Sequence, residues 1–435
     1  MSKPRLLILT LDSLGERMAG VAIRAVELAK ALNEVADVRI AATAVTGDAG
    51  VDLPVGTWHR HDHRTLRPHL RDVDMVVAQP QWPLVARELR RSGARLIYDL
   101  GIPEPLETLE TQRTRPMTRR RLMSAVTCDR LVGALHDGDH FLASTDKQFD
   151  LWLGSMLSER LLGPAAYDRD PALAKRLARV PHGLPDEPPT RSAGKGLRGT
   201  FEGIGSDTEI ILWNSAIWRW FDAETAIRSV AELAARRPSV KLVFMSRADG
   251  QPERVQPISA ARSLAKELGV LDTHVLFHDG WVAYDERADW LLDADVALSC
   301  YRSHLETRFS FRTRYLDCFW SGLPLVVTQG DDLARTIVEN DLGFAVPEAD
   351  PSATADALEA VLDRGKASYA AQMRATAQSF KWSHVVRPLR EIVATSPPRM
   401  RTRSPRRPGH VVRDAGYCAV RSVLNRAGIK EWPPQ

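Results

Sequence analysis

Apolar positions along this chain fall in two alternating rhythms. Residues 5–11 (RLLILTL) form an unbroken apolar run of the kind a strand covered on both faces needs. A glycine-bearing loop follows from Asp12 to Gly20. Ile23, Val26, Leu28, Ala29 and Leu32 then share one face of a predicted helix over 21–33. Residues 38–42 read as the next strand, so the segment predicts a βαβ unit. Further strands are predicted at 75–78, 95–99, 140–144 and 179–181, with helical stretches between. Between 183 and 206 the rhythm breaks into Pro and Gly, which is linker chemistry. A second series then starts, with strands at 209–213, 240–245, 275–277, 296–299 and 324–328. Helices are predicted at 222–236, 259–268, 285–292, 313–320 and 333–339, and a helical run after Phe380 extends to Val393.

This alternation predicts an α/β protein with two Rossmann-like, doubly wound parallel-sheet domains. The first covers 1–185, a linker 186–206, and the second 207–380. Two such domains suggest a ligand held in a cleft between them, because open α/β sheets bind at the carboxyl ends of their strands.

At 435 residues the chain is long enough for two cores, and 44% hydrophobic with 26% charged residues is a globular balance. No apolar run reaches the ~18 residues of a membrane span, and the N-terminus does not read as a signal peptide. Four cysteines lie far apart without a C-x-x-C, which reads as buried or incidental thiols in a reducing cytosol. Residues 396–435 carry +7 of the net charge of +4, which leaves about −3 for the rest. A modestly acidic body with a basic, flexible tail argues against a nucleic-acid-binding fold. It fits either a solvated tail or contact with an anionic lipid surface.

The densest chemistry lies between 293 and 327. A strand ends at Ser299, a polar loop follows, and a helix opens near Ser310 to Thr313 and stops just before Gly322. Free N–H groups and the dipole at such a helix start favour an anion. Arg308, Arg312 and Arg314 add positive charge there, as a diphosphate requires. Asp317, about one turn into the helix, is an acceptor placed for the vicinal hydroxyls of a ribose. A solvated arginine loop before an ordinary helix is the plain alternative.

On these residues the chain resembles the retaining GT-B glycosyltransferases of family 4. That family carries an acidic-x7-Glu motif leading into a helix, then a Gly and a Pro. Asp317, Gly322 and Pro324 match its last three positions, so the resemblance gives Asp317 the ribose-binding role. The first acidic position falls on Phe309, and the nearest carboxylate is Glu306. Either Glu306 reaches the donor sugar as a catalytic group, or backbone amides of Phe309, Ser310 and Phe311 hold the sugar hydroxyl. The resemblance makes Arg308, Phe309, Ser310, Phe311, Arg312, Thr313 and Asp317 donor-binding candidates.

Residues 179–185 (RVPHGLP) look like the family's interdomain Val-Pro-Asn-Gly turn, with His182 for Asn. Residues 275–281 (VLFHDGW) look like its Phe-x-Gly element, and 380–382 (FKW) like the start of a last helix, 381–395, that crosses back to the first domain. Where the family has Gly-Arg and a following Lys, this chain has Ser215, Ala216 and no Lys, so Arg219 and the Arg302, Arg308 and Arg312 group would supply the charge. Trp213, Trp218 and Trp220 are either stacking groups or part of an aromatic cluster. In the first domain, Gly15 to Gly20 matches the family's glycine-rich loop. Gly20 and Arg24 are taken as donor-binding, and Asp99 as a catalytic candidate in a place where the family often has His.

The resemblance implies retaining transfer from a nucleotide-sugar donor to a sugar, lipid-linked or small-molecule acceptor, in cell-surface polysaccharide, glycolipid or natural-product synthesis. It calls for no cofactor and no metal. It implies a cytoplasmic protein, with peripheral contact to the inner, anionic membrane face left open. A non-catalytic GT-B-like nucleotide- or sugar-binding protein acting with a partner is the alternative.

Two other features read as structural first. His59, His61, His63 and His69 resemble a metal cluster but fall in a loop. Arg113 to Arg130 reads as a basic helix, either a solvated face or a membrane-surface one. There is no Walker A, G-x-S-x-G or H-E-x-x-H motif.

Overall fold

The computed structural model describes residues 3–15, 18–174, 176–192, 194–245, 252–284 and 286–395, with 416, 419, 420 and 423. The predicted basic tail thus lies outside the described residues but for those four positions. The chain divides into two compact units, Met1–His182 with Val385–Gln435, and Gly183–His384.

The first unit contains β1 (Arg5–Leu9), β2 (Leu14–Gly15), β3 (Asp37–Ala42), β4 (Val45–Thr46), β5 (Val55–Thr57), β6 (Met75–Ala78), β7 (Arg95–Asp99), β8 (His140–Ala143) and β9 (Leu177–Arg179). Its main sheet is parallel, in the order β5-β3-β1-β6-β7-β8-β9. Leu6, Leu7, Ile8 and Leu9 are all buried, as the continuous apolar run requires of a strand covered on both faces. The strand expected at 179–181 sits earlier, at Leu177–Arg179, because Pro181 has no N–H to give a ladder. β2 and β4 form a small separate parallel pair that the pattern did not foretell.

That pair explains one glycine of the first loop. Gly15 has φ +134°, and a Cβ there would lie 1.8 Å from the Thr46 carbonyl oxygen, so Gly15 serves strand pairing. Gly20 opens the helix Gly20–Leu32, and a Cβ on it would meet nothing.

The second unit contains β10 (Glu209–Trp213), β11 (Val240–Phe244), β12 (Val275–Phe277), β13 (Val296–Ser299), β14 (Leu325–Thr328) and β15 (Gly343–Val346). They pair in parallel in the order β12-β11-β10-β13-β14-β15. Counted within the unit, this is the 3-2-1-4-5-6 order of the Rossmann fold. β15 and the helix Pro351–Arg364 extend the alternation beyond the last predicted helix. Within 186–206, Ser192 bonds Asp289 and Arg191 bonds Asp293 at 2.8 Å, so this stretch is docked on the helix Arg287–Asp293. Leu184 and residues 380–382 exchange backbone hydrogen bonds, and a Cβ on Gly183 would come within 2.4 Å of the Trp382 ring.

The arginine-rich stretch is the helix Met117–Asp137. Its Arg130 is buried, donating to Glu104 and to the Pro80 carbonyl at 2.5 Å each, so it belongs to the interior rather than to a lipid-facing side. Met117 and Leu122 on the same helix are exposed. The histidine cluster is dispersed into local contacts. His69 Nε2 lies 2.9 Å from the Thr57 carbonyl oxygen, and His63 lies 3.7 Å from Glu88. Among the described residues no group of three or more His, Cys, Asp or Glu is gathered as for a metal, and no helix is long and apolar enough to cross a membrane.

Candidate active site

In a sheet of order 3-2-1-4-5-6 the crevice for a ligand opens where adjacent strands send their chains to opposite sides. Here those strands are β10 and β13, paired through Ile211 with Val296 and Leu212 with Ala297. The loops that leave them meet each other. Phe221 forms an antiparallel bridge with Tyr301, and Asp222 N–H donates to the Cys300 carbonyl at 2.9 Å. Asp222 also caps the helix Ala223–Arg236 and receives Arg302 Nε at 3.1 Å. A cavity of about 480 Å³ opens there, with Arg219, Arg302 and Glu224 on its polar side and Phe221, Ala261 and Leu264 on its apolar side. That mix of a few charged groups on an apolar wall is typical of small-molecule sites.

The loop after β13 is built around one ion pair. A short helix, Leu305–Phe309, starts at His304, whose Nδ1 accepts from Thr307 N–H at 3.2 Å. Arg312 donates to both carboxylate oxygens of Glu306, at 3.1 and 3.3 Å, and Ser310 Oγ bonds the same carboxylate. The Arg312 guanidinium lies 4.1 Å from the Tyr301 ring centre and 3.9 Å from Asp331. Burial opposes its charge, but the pull of Tyr301, Glu306 and Asp331 outweighs burial and holds Arg312 above its ordinary value. Burial raises the neighbouring Tyr301 and Tyr315 hydroxyls, so both stay neutral. The structure therefore brings Glu306, Ser310 and Arg312 together. The charge of Arg312 is balanced inside the loop; Arg308 is exposed, and Arg302, exposed as well, is paired with Asp222 and Glu224.

Thr313 opens the helix Thr313–Ser321, which ends at Gly322 in the left-handed conformation (φ 68°). Phe309 and Phe311 are half-buried, Phe311 with its ring 6.4 Å from that of Phe380. Asn214, just past β10, donates from Nδ2 to the Arg314 carbonyl at 3.0 Å and so ties this helix to the neighbouring loop. Asp317 keeps 18% of its side chain exposed, with Oδ1 at 3.1 Å from Arg287 Nε and Oδ2 at 3.5 Å from Arg314 Nη1. Of the tryptophans, Trp213 is core, packed on Phe244. Trp218 and Trp220 stack on each other at 5.0 Å.

In the first unit the structure brings Arg24 and Asp99 together. They pair at 2.5 and 3.2 Å, and Arg24 also donates to the Pro181 and Val180 carbonyls at 2.8 Å each. Gly101 N–H donates to Asp99 at 3.2 Å. The adjoining cavity, about 20 Å³ and lined by Thr10 and Gln79 among others, has room for no more than a water. Gly20 begins the helix that carries Arg24.

Three partners in these sites escaped the sequence reading: Asn214, Arg287 and Asp331. Asn214 and Asp331 each follow a strand's carboxyl end, which is a readable signal. Arg287 lies thirty residues before Asp317, and nothing in the local pattern links them.

Comparison with known proteins bears on the same residues. Residues 208–364 match the family model described as Glycosyl transferases group 1. No curated protein matches the chain. Among solved structures, Anabaena Alr3699/HepE in complex with UDP and glucose superposes with a TM-score of 0.67 at 13% identity, over 90% of this chain and 100% of that one. WaaG, a glycosyltransferase involved in lipopolysaccharide biosynthesis, gives 0.61 at 14%, over 90% and 100%. An α,α-trehalose 6-phosphate synthase from Burkholderia multivorans gives 0.66 at 15%, over 91% and 100%. The chain thus has the GT-B glycosyltransferase fold, and residues 208–364, which hold its second Rossmann sheet, match the group 1 glycosyl transferases model.

Proposed function

We propose that the protein transfers a sugar, with retention at the anomeric carbon, from a nucleotide-sugar donor to a sugar, lipid-linked or small-molecule acceptor. One observation carries the reading. The cavity beside Arg219 and Arg302 lies at the switch point of the Rossmann sheet, inside the segment that matches the group 1 glycosyl transferases. Asp317 would accept the ribose hydroxyls, the exposed Arg302 and Arg308 would face the diphosphate, and backbone amides of Phe309 to Phe311 would hold the donor sugar. In such a site the work is positioning and charge stabilisation of the departing diphosphate. Structural relatives bound to UDP-glucose or described as UDP-forming support uridine nucleotides as the first donors to try. Met117 and Leu122, exposed on an arginine-rich helix, support peripheral contact with an anionic membrane, where an acceptor for surface polysaccharide or glycolipid synthesis would lie.

Glu306 as a catalytic group has weaker support, because its carboxylate is already bonded to Arg312 and Ser310. The same observation favours a second reading, a GT-B protein that binds a nucleotide or sugar without turning it over. Thermal-shift titration with UDP, GDP, ADP and dTDP tests the donor site: stabilisation by at least one nucleotide is expected, and none would overturn it.

A further inference from the structure

Arg287 is a buried arginine, 5% exposed, on the helix that precedes β13. Its guanidinium lies against two aromatic rings, 3.5 Å from the centre of Tyr284 and 4.6 Å from that of Trp320. Trp320 is itself fixed, donating from Nε1 to the Glu187 carbonyl at 2.7 Å. Along its edge, Nη1 bonds the Tyr284 carbonyl and Nε donates to Asp317 Oδ1 at 3.1 Å. Nη2 is buried and has no hydrogen-bond partner among the described residues. The group is thus held by two rings and two hydrogen bonds, which is far more restraint than a charge partner alone needs.

The restraint has a consequence for Asp317. An aspartate one turn into a helix can choose among rotamers, but Arg287 takes its inner oxygen from the buried side. Oδ2 lies 3.5 Å from Arg314, whose side chain is 43% exposed. A carboxylate fixed in this way accepts from two neighbouring hydroxyls at a set distance, the geometry of a ribose 2′,3′-diol. A carboxylate free to swing would adapt to one hydroxyl as readily as to two.

We infer that Arg287 is a positioning residue that presents Asp317 to the ribose diol and makes the site select ribonucleotides over 2′-deoxyribonucleotides. This rests on the proposal that Asp317 meets the donor ribose. The test is calorimetric binding of UDP, GDP and ADP and of their 2′-deoxy counterparts to the full chain, in wild type and in Arg287→Met, Arg287→Lys and Asp317→Asn. Wild type is expected to favour the ribo form on the order of tenfold or more, the worth of a hydrogen bond to a charged acceptor. Arg287→Met should bring the ratio close to one with deoxynucleotide affinity retained, Arg287→Lys should restore part of it, and Asp317→Asn, which keeps the ring contacts of Arg287, should lose it too. A merely structural role would weaken both forms equally and leave the ratio intact, which would overturn the inference. So would equal binding of both forms by wild type. If none of the six nucleotides binds, the donor-site reading fails first and the inference falls with it.

Discussion

The carboxylate of Glu306 and the guanidinium of Arg312 hold each other at 3.1 Å inside one loop, with side chains only 8% and 7% exposed. The pair closes the turn between the short helix Leu305–Phe309 and the helix that carries Asp317. Removing Arg312 leaves the buried Glu306 charge to Ser310 and His304, and removing Glu306 leaves Arg312 only Asp331 at 3.9 Å; loss of the close partner costs up to about 3–5 kcal/mol. Glu306→Gln and Arg312→Gln should each lower unfolding stability by that order in urea titrations. The double variant Glu306→Leu with Arg312→Met should recover most of the loss. Additive losses would show that the two residues act separately.

Arg24 and Asp99 make the equivalent lock in the first unit, with the guanidinium also satisfying two backbone carbonyls. Arg24→Met strands the Asp99 charge and both carbonyls, so a loss of about 3 kcal/mol or more is expected. Hydrogen exchange should show faster opening of Gly20–Leu32 and β7. Unchanged exchange there, with donor affinity lost, would instead make Arg24 a ligand-binding group.

Three glycines separate packing from ligand approach. Gly183→Ala drives a Cβ into the Trp382 ring, and overpacking of this kind costs about 1–3 kcal/mol. Gly15→Ala meets the Thr46 carbonyl at a positive φ and should be at least as costly. Gly20→Ala meets nothing and should leave stability within about 0.5 kcal/mol. If Gly20→Ala weakens donor binding while its melting curve stays put, a ligand passes close to that helix start.

Lys366 gives a pH dependence. Its ammonium donates to the carbonyls of Leu291, Leu292 and Ala294 at 3.1, 3.2 and 2.9 Å. Burial pushes it down from 10.5 to about 8, against the pull of Asp295, Cys318 and Asp293, while Arg191 adds to the lowering. Below about pH 8 the lysine is charged in both folded and unfolded chains, and the folded state bears the burial cost. Between about 8 and 10.5 the unfolded chain binds more protons, so this group's contribution rises with pH, by up to about 3 kcal/mol. Urea unfolding across that window should show wild type gaining stability relative to Lys366→Met as pH rises. A constant gap would mean that Lys366 keeps its ordinary ionisation.

Much of the fold was legible because buried parallel strands are unbroken apolar runs. β6, β7, β10, β12 and β13 lie where the pattern puts them. β15 was not, since it is only four residues long and opens on Gly343, which reads as a turn. The helix Pro351–Arg364 did carry a signal, Asp350 as cap with Pro351 in the first turn, beyond the point where the predicted alternation stopped. In the candidate site, residue types were readable but their pairings were not. Arg24 and Asp99 look like two ligand-facing groups in the sequence and form one ion pair in the structure. Glu306 and Arg312 look like an acid and a cation for the donor, yet each answers the other. Such pairings join residues by folding rather than by spacing, and Arg287 with Asp317 is the extreme case.

The most direct test of the central claim is release of nucleoside diphosphate from a panel of nucleotide sugars, UDP-sugars first, followed by stereochemical analysis of the product. Release with the anomeric configuration kept, abolished or strongly reduced in Asp317→Asn, is the predicted result. Tight nucleotide binding with no release from any sugar nucleotide, whatever acceptor is offered, would contradict it and leave a binding protein in place of an enzyme.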